Sequence, residues 1–308
     1  MLDARLILVT GKGGTGKSTV AAALGRRAAD AGKRTLVVEV DVRQSAMSGL
    51  LGRAASYEPR PVGPRLDVCN ITWDRALEEW LERSIPVQRV VRLILRNRLV
   101  ALFLDATPGL REIVGLSRIA SLCEDYDQVV VDMPASGHAL ALLQVPWVAR
   151  ELVAEGPIQQ RAGELIELLG RPDTRMVLVG LPEEIVVNET LELLGRLEVM
   201  VPVLAPPLVL LNQVAPPSIT ADERALLARI GALMPADGPG GELVAAGRWE
   251  AELEDASRRA LDRLAGAGAG LLSIPRLGAQ GGLQGGPEAV VIQLARALVR
   301  EQAAGEGA

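Results

Sequence analysis

Nine consecutive residues near the start of the chain, 11–19, combine four glycines with two lysines and three hydroxyl side chains. Their spacing fits two phosphate-binding patterns at once. The pattern G-x-G-x-x-G of dinucleotide-binding folds is met by Gly11, Gly13 and Gly16. The pattern G-x-x-x-x-G-K-S/T of nucleoside triphosphate sites runs from Gly11 to Ser18. Both patterns place phosphates against a turn of backbone.

Lys17 and Ser18 decide between the two patterns. A nicotinamide dinucleotide needs neither an ammonium group nor a hydroxyl at these positions, whereas a triphosphate with Mg²⁺ uses both. Glycines let the backbone N–H groups turn toward the phosphates, and the following helix adds its N-terminus. We expect Lys17 to contact the β- and γ-phosphates, Ser18 the Mg²⁺ and Thr19 the α-phosphate. The predicted phosphate-binding residues are Gly11, Lys12, Gly13, Gly14, Thr15, Gly16, Lys17, Ser18 and Thr19.

Two acidic residues, Asp41 and Asp132, stand at the ends of apolar runs. A carboxylate at the carboxyl end of a buried strand can hold Mg²⁺ or orient a water molecule beside a γ-phosphate. We expect Asp41 to orient the water, and Asp41 and Asp132 to join Ser18 around the metal. Glu39 could equally be a residue that contacts the metal-binding or water-orienting residues without touching the nucleotide itself. Gly137, shortly after Asp132, would allow the backbone to approach a γ-phosphate.

The positions of these residues depend on an alternation of short apolar runs and longer helical stretches. Runs of Val, Ile and Leu without polar alternation are typical of parallel strands covered on both faces, and they lie at 5–10, 34–40, 128–133, 175–180, 208–211 and 271–274. A more alternating run, 66–71, could be an edge strand. Helices are predicted at 16–31, 73–83, 87–103, 109–123, 157–169, 185–197, 221–234, 247–265 and 287–302. This order predicts an α/β fold with a mostly parallel, doubly wound sheet and helices on both faces. Together with the triphosphate-binding pattern at 11–18, it predicts a P-loop NTPase.

Helices follow one another without an intervening strand at 73–123, 140–172 and 221–265. We interpret these intervals as a helical subdomain interleaved with the sheet, within a single domain covering residues 1–308. The nucleotide-binding core is assigned to 1–72, 124–146, 173–216 and 266–308. The helical subdomain is assigned to 73–123, 147–172 and 217–265. Stretches rich in Pro and Gly at 58–64, 235–241 and 275–287 are predicted loops, and the tail 303–308 is predicted to be disordered.

The composition argues against several classes of protein. A net charge of −5 and only seven aromatic residues among 308 do not favour a nucleic-acid partner. The two cysteines, Cys69 and Cys123, stand far apart, which argues against a zinc ribbon or a disulfide framework. The first apolar run is too short for a signal peptide or a membrane span, so a cytoplasmic location is expected.

The loop form G-K-G-G-x-G-K-S/T, with Lys12 in second position, resembles the deviant Walker A motif of SIMIBI-class NTPases. Residues 132–146 indicate one family within this class. They carry D-x-x-x-S/T-G-H followed by L-x-x-L-Q-x-P, which is similar to switch II of the arsenite-pump (ArsA)/GET-pathway ATPases. The segments 40–44, 66–81 and 108–112 further resemble a bacterial GET-like subgroup.

Three later segments resemble the nucleotide contacts of the same family. The stretch 180–184, with Glu189 beyond it, is similar to a Pro-Glu segment whose acids lie near the ribose and the dimer seam. Residues 212–213 resemble an adenine site, and 274–277 resemble a proline-containing loop that covers adenine. The residues assigned in this way are Pro182, Glu183, Asn212, Gln213, Pro275 and Leu277.

The resemblance implies an ATP-hydrolysing dimeric switch that uses ATP and Mg²⁺ and has Lys12, Lys17 and Asp41 as catalytic residues. Lys12 would cross the interface to the partner's nucleotide. The partner would be an identical chain or a paralogue, and the client a hydrophobic protein or a membrane protein. A ParA/MinD-like positioning ATPase and a P-loop phosphotransferase or amidoligase stay open, with an NAD oxidoreductase a more distant alternative.

The chain also departs from the family pattern. Val42 and Arg43 follow Asp41 where the family usually has Pro and Ala, so the segment after Asp41 departs from the family's switch I. The zinc-binding C-x-x-C of eukaryotic GET dimers is missing, so no zinc is expected. Two separated cysteines do not form the metalloid-binding cluster of arsenite pumps, so an arsenite role is not expected.

Overall fold

The computed structural model describes residues 2–84, 109–152, 155–233, 238–277 and 286–306. These residues build one sheet with the strand order β3-β4-β2-β5-β1-β6-β7-β8. The strands are β1 (Leu6–Gly11), β2 (Thr35–Val40), β3 (Arg60–Gly63), β4 (Leu66–Ile71), β5 (Gln128–Asp132), β6 (Thr174–Gly180), β7 (Leu208–Val214) and β8 (Gly270–Pro275). Every pairing is parallel except that of β3 with β4. The carboxyl ends of seven strands therefore meet at one edge of the sheet.

Helices cover both faces of the sheet. They are α1 (Lys17–Asp30), α2 (Met47–Leu50), α3 (Trp73–Ser84), α4 (Leu110–Asp125), α5 (Ser136–Leu152), α6 (Pro157–Leu169), α7 (Glu184–Met200), α8 (Ala221–Leu233), α9 (Pro239–Ala265) and α10 (Pro287–Glu306). The helices α1, α2 and α10 contribute to the hydrophobic core on one face, and α3 to α7 with α9 contribute to the core on the other. The predicted doubly wound α/β fold is confirmed.

The central strand β1 explains why the apolar runs lack polar alternation. Leu6 and Leu8 pack into one core, while Ile7 and Val9 pack into the other. All four side chains are buried. Burying each of them stabilises the fold by roughly 1.5–3 kcal/mol, which favours apolar residues at every position of such a strand.

The edge of the sheet next to β4 differs from the prediction. Residues 60–63 form β3 instead of a loop, and β4 is therefore second from the edge. Three prolines in 58–64 suggested a loop, but Pro61 is tolerated because an edge strand can leave its outward position without an N–H donor. The pairing with β4 also shifts in register between Pro61 and Gly63.

Two helices extend into segments that were predicted to be a loop or disordered. The helix α9 begins at Pro239, inside the predicted loop 235–241, because proline suits the first position of a helix, where its missing N–H costs nothing. The helix α10 continues to Glu306, into the tail that was predicted to be disordered. The predicted helix 87–103 lies outside the described residues, as do residues 278–285 of the predicted loop 275–287.

Helices contact one another in three pairs: α3 with α4, α5 with α6, and α8 with α9. The helix α8 has no buried residue. The division between the helical subdomain and the nucleotide-binding core stays a prediction. No helix among the described residues combines the length and the apolar character needed to cross a bilayer.

Candidate functional site

The loop between β1 and α1 has a backbone that requires glycine at three positions. Gly11 has a φ of 147°, and a Cβ there would lie 2.1 Å from the carbonyl oxygen of Val179 on β6. Gly14 and Gly16 have φ values of 86° and 93°, in the left-handed region that favours glycine. Gly13 has open space where a Cβ would lie. The glycines therefore fix the shape of the loop and leave its outer side open.

The loop is also held by hydrogen bonds to its own backbone. The carbonyl oxygen of Lys12 accepts a bond of 2.9 Å from Thr15 Oγ1 and one of 3.2 Å from Lys17 Nζ. Asn212 at the end of β7 donates from Nδ2 to the carbonyl oxygen of Thr15 over 3.0 Å. This contact of Asn212 was not predicted, because the sequence assigned that side chain to a nucleotide base.

Asp132 ends β5 next to the first turn of α1. Burial raises the pKa of Asp132 to about 6, although the hydrogen bond from Ser18 and the charge of Lys17 act to lower it. Its Oδ1 atom is buried and has no hydrogen-bond partner within the described residues. Burial likewise lowers the pKa of Lys17. Mg²⁺ prefers carboxylate and hydroxyl oxygens as ligands. The unpartnered Oδ1 atom of Asp132 and the hydroxyl of Ser18 are therefore suitable ligands for this ion.

The side chains of Asp41 and Glu39, near the end of β2, contact different parts of the chain. Asp41 is exposed, with a φ of 49°, and its Oδ1 atom lies 3.4 Å from the backbone N of Trp73 at the start of α3. Glu39 is buried and accepts bonds from Ser45 Oγ (2.5 Å) and Ala46 N (2.7 Å). Glu39 thus fixes the turn that follows Asp41. Among the described residues, no hydrogen bond or ion pair joins Asp41 to the loop of residues 11–19, so its role in orienting a water molecule stays a prediction.

Lys12 contacts an acidic side chain of its own chain. Its Nζ atom lies 3.3 Å from Glu189 Oε2 on α7, and Ser136 Oγ at the start of α5 donates to Glu189 Oε1 over 2.6 Å. The bond from Ser136 lowers the pKa of Glu189, and Lys12 adds to this effect. Ser136 was not singled out from the sequence. The neighbouring Gly137 and His138 are exposed, and a Cβ on Gly137 would meet open space.

Pro182 and Glu183 follow β6 and immediately precede α7, where Pro182 is half-buried and Glu183 exposed. A cleft of about 270 Å³ lies between them and α9, with Arg259 and Arg263 on its far wall. The two residues predicted for ribose therefore lie at the same edge of the sheet as the phosphate loop. They are accessible from outside.

The residues predicted for adenine lie at the ends of β7 and β8. Gln213 is exposed with a φ of 59°, whereas Asn212 is buried. Pro275 is exposed, and Leu277 is half-buried. A cleft of about 840 Å³ opens beyond these two strands, with Pro275 and Ile219 among its lining residues. Gln213 is the more available amide, since Asn212 already bonds the phosphate loop.

The sheet order brings the predicted residues to one edge, from β2 through β5, β1, β6 and β7 to β8. Among the residues that the structure describes, no group of three His, Cys, Asp or Glu side chains is arranged to hold a metal ion. A Mg²⁺ that is held mainly by phosphates needs only one or two protein ligands. Cys69 and Cys123 are both buried, in β4 and α4.

Comparison with known proteins agrees with this geometry. The sequence model of the family described as anion-transporting ATPase (ArsA) matches residues 4–171. The chain is 32% identical to the ATPase BagA of Mycobacterium tuberculosis over 209 residues, which cover 64% of this chain and 62% of that protein. It is 26% identical to an arsenical pump-driving ATPase of Acidiphilium multivorum over 212 residues, or 62% of this chain and 36% of that protein.

The chain therefore spans less than two thirds of the length of these relatives. The family match, in contrast, covers more than half of this chain, from two residues before β1 into the loop after α6. It includes the phosphate loop, Asp41 and Asp132. This chain belongs to the anion-transporting ATPase (ArsA) family.

Proposed function

We propose that this chain binds ATP with Mg²⁺ at the edge formed by the phosphate loop and hydrolyses it. The observation that carries this proposal is the buried, unpartnered Oδ1 atom of Asp132 beside Ser18 and Lys17. A buried carboxylate without a partner is costly unless a ligand completes it. The glycine loop in front of it has the backbone shape that surrounds phosphates.

The side chains of the site each have a distinct task in this proposal. Lys17 leaves the carbonyl oxygen of Lys12 and contacts the β- and γ-phosphates, while the loop N–H groups surround them. Ser18 and Asp132 would hold Mg²⁺, which neutralises phosphate charge when it is bound. Asp41 orients the attacking water, for which its carboxylate must turn away from the start of α3.

A dimer is the second part of the proposal. Two chains would face each other across their phosphate loops, and Lys12 would reach the partner's nucleotide. The exposure of Gly13 and Gly14 and the partial exposure of Lys12 support this arrangement, since an interface can form only where the loop is accessible. The partner is an identical chain or a paralogue.

The third part is a switch of the GET type that couples hydrolysis to the binding and release of a hydrophobic protein client. The switch segments are 41–50 and 132–146, and the second of them continues into α5. Support comes from large apolar side chains that are exposed on α8 and α9, namely Leu226, Leu233, Leu243 and Trp249. Exposed apolar side chains on two consecutive helices are candidate contacts for a protein partner.

The arsenical substrate in the name of a relative is not carried over to this chain. Burial raises the pKa of both thiols, Cys69 and Cys123, to about 12. A metalloid is bound by thiolates, and these two side chains sit in separate elements of the core. The chemistry that we propose for this chain therefore ends at ATP hydrolysis and client release.

Phosphate release by Lys17→Ala, compared with Lys33→Ala, tests the proposed activity. Lys33 follows α1 at the opposite edge of the sheet and pairs with Asp3, so its loss controls for removal of a lysine. We expect Lys17→Ala to reduce Mg²⁺-dependent phosphate release about 100-fold or more, because charge stabilisation of the transferred phosphate is lost. Equal hydrolysis by the two variants, or transfer of phosphate to a metabolite instead of water, would contradict the proposal.

A further inference from the structure

Glu189 joins three segments of the edge that carries the phosphate loop. One carboxylate oxygen lies 3.3 Å from Lys12 Nζ, and the other accepts a bond of 2.6 Å from Ser136 Oγ. Lys12 belongs to the loop, Ser136 begins α5 and Glu189 lies on α7. Both oxygens of the carboxylate are therefore engaged, by partners from two different segments.

We infer that Glu189 is a positioning residue that holds Lys12 within its own chain until the partner's nucleotide takes it. This inference rests on the proposed function, in which Lys12 reaches across a dimer. In that dimer, Lys12 leaves Glu189 of its own chain in order to reach a phosphate of the partner. The two contacts therefore compete, and the pair with Glu189 raises the nucleotide concentration that dimerisation requires.

The strength of the pair with Glu189 suits this role. The side chains of Lys12 and Glu189 are 35% and 36% exposed, so water screens their attraction. Ion pairs of this exposure shift an equilibrium by only about two- to fivefold. A triphosphate carries several negative charges, and it can displace a single carboxylate from the lysine. Glu189 therefore opposes the transfer of Lys12 to the partner's nucleotide but does not prevent it.

Ser136 connects this control to the segment 132–146. Its side chain is buried, so the hydroxyl that bonds Glu189 moves together with the start of α5. Asp132, four residues earlier, is part of the proposed Mg²⁺ site in the same segment. A displacement of this segment by the chain's own nucleotide would therefore change the carboxylate that holds Lys12. Nucleotide bound to one chain would in this way affect the lysine of that chain, Lys12, which contacts the nucleotide of the partner.

The chain contains only three lysines, Lys12, Lys17 and Lys33, so the state of Lys12 can be measured directly. The nucleotide-free protein is labelled briefly with an amine-acylating reagent, and mass spectrometry gives the labelling of Lys12 relative to Lys33. Glu189→Gln is expected to raise this ratio about two- to fivefold, because a half-exposed pair is lost. Glu192→Gln is the matched control, since Glu192 lies on the same helix and pairs with Arg196 instead.

The second measurement is the ATP concentration at which half of the protein sediments as a dimer. We expect Glu189→Gln to lower this concentration about two- to fivefold relative to the wild type and Glu192→Gln. Ser136→Ala keeps the charge of Glu189 but removes its second bond, and it is expected to shift both measurements in the same direction by less.

The outcomes separate the inference from the proposed function. Unchanged labelling of Lys12 in Glu189→Gln overturns the inference, whatever the dimer does. Increased labelling with an unchanged or higher ATP requirement also overturns it, because Glu189 then does not compete with the partner. A third outcome is that labelling of Lys12 increases in Glu189→Gln but the wild type does not dimerise with ATP. The proposed dimer is then wrong, and so is the competition between Glu189 and the partner's nucleotide. The contact between Lys12 and Glu189 within one chain would still be supported.

Discussion

Two carboxylates near the carboxyl edge of the sheet, the half-buried Asp132 and the buried Glu254, have opposite surroundings. Glu254 on α9 accepts bonds from the backbone N and Oγ of Ser218 (2.6 and 2.7 Å), from the backbone N of Ile219 (3.0 Å) and from Arg224 (2.5 Å). Burial alone would raise its pKa, but these donors outweigh burial and lower the pKa of Glu254. Asp132 has the Ser18 hydroxyl, one unpartnered oxygen and a pKa raised to about 6.

The comparison indicates that Asp132 is suited to bind a ligand, whereas Glu254 stabilises the fold. Glu254 fixes the chain that leaves β7, and its donors leave no room for an ion. Asp132 is destabilising as it stands, since a charged oxygen without a partner is expensive in a protein interior.

The largest effect is expected for Asp132→Asn. The substitution keeps the shape of the side chain but removes the charge that holds Mg²⁺, so hydrolysis at fixed Mg²⁺ and ATP should fall about 100-fold. The measurement is steady-state phosphate release, with circular dichroism to verify the fold. Wild-type turnover in this variant would show that Asp132 is as structural as Glu254.

The pH dependence of stability is the next effect. The pKa of Asp132 is raised from 3.8 to about 6, so its protonated form stabilises the folded chain. This contribution is present below about pH 4 and is lost as the pH rises through about 6, with a total of about 3 kcal/mol. Urea unfolding without Mg²⁺ or nucleotide should show the loss in the wild type. Asp132→Asn has no such group, and a parallel pH profile in the variant would disprove the assignment.

Glu254→Gln should produce the opposite pattern to Asp132→Asn. An amide cannot accept from four donors, and we expect the free energy of unfolding to fall by about 2 kcal/mol. Hydrolysis per folded molecule should stay at the wild-type level. Glu252→Gln on the same helix is the control, because Glu252 is exposed. Normal stability of Glu254→Gln together with lost hydrolysis would mean that Glu254 belongs to the site.

The smallest effect is expected for Asn212→Ala. Asn212 donates to the carbonyl oxygen of Thr15 and so connects β7 with the phosphate loop. Its loss costs one hydrogen bond of about 1 kcal/mol, which corresponds to about a fivefold higher KM for ATP. Steady-state kinetics should show little change in kcat. A reduced kcat at unchanged KM would place Asn212 in the chemical step.

The fold and the phosphate loop could be predicted from the sequence because local patterns specify them. The valines of 129–131 are buried on both faces, so they lack polar alternation, and Gly11, Gly14 and Gly16 are required by φ values or by close approach. The strand β3 was missed because Pro61 is acceptable only at an edge, and a single sequence does not reveal which strand lies at the edge.

The contacts of the site were less predictable than its residue types. Ser136 and Glu189 are 53 residues apart, and their hydrogen bond depends on how α5 and α7 leave neighbouring parts of the sheet. The direction of Asp41 is set by a left-handed φ and by the start of α3, neither of which the motif specifies. Spacing therefore identified the chemistry of the side chains, while packing decided which partner each of them holds.

The outer strand β3 limits how copies of this chain can join. Pro61 offers no N–H to a neighbouring strand, and the shift in register between Pro61 and Gly63 interrupts a regular ladder. Such an edge resists extension of the sheet into a second molecule, which is a common route to aggregation. Assembly through this flank is therefore discouraged by the backbone itself, whatever side chains the strand carries.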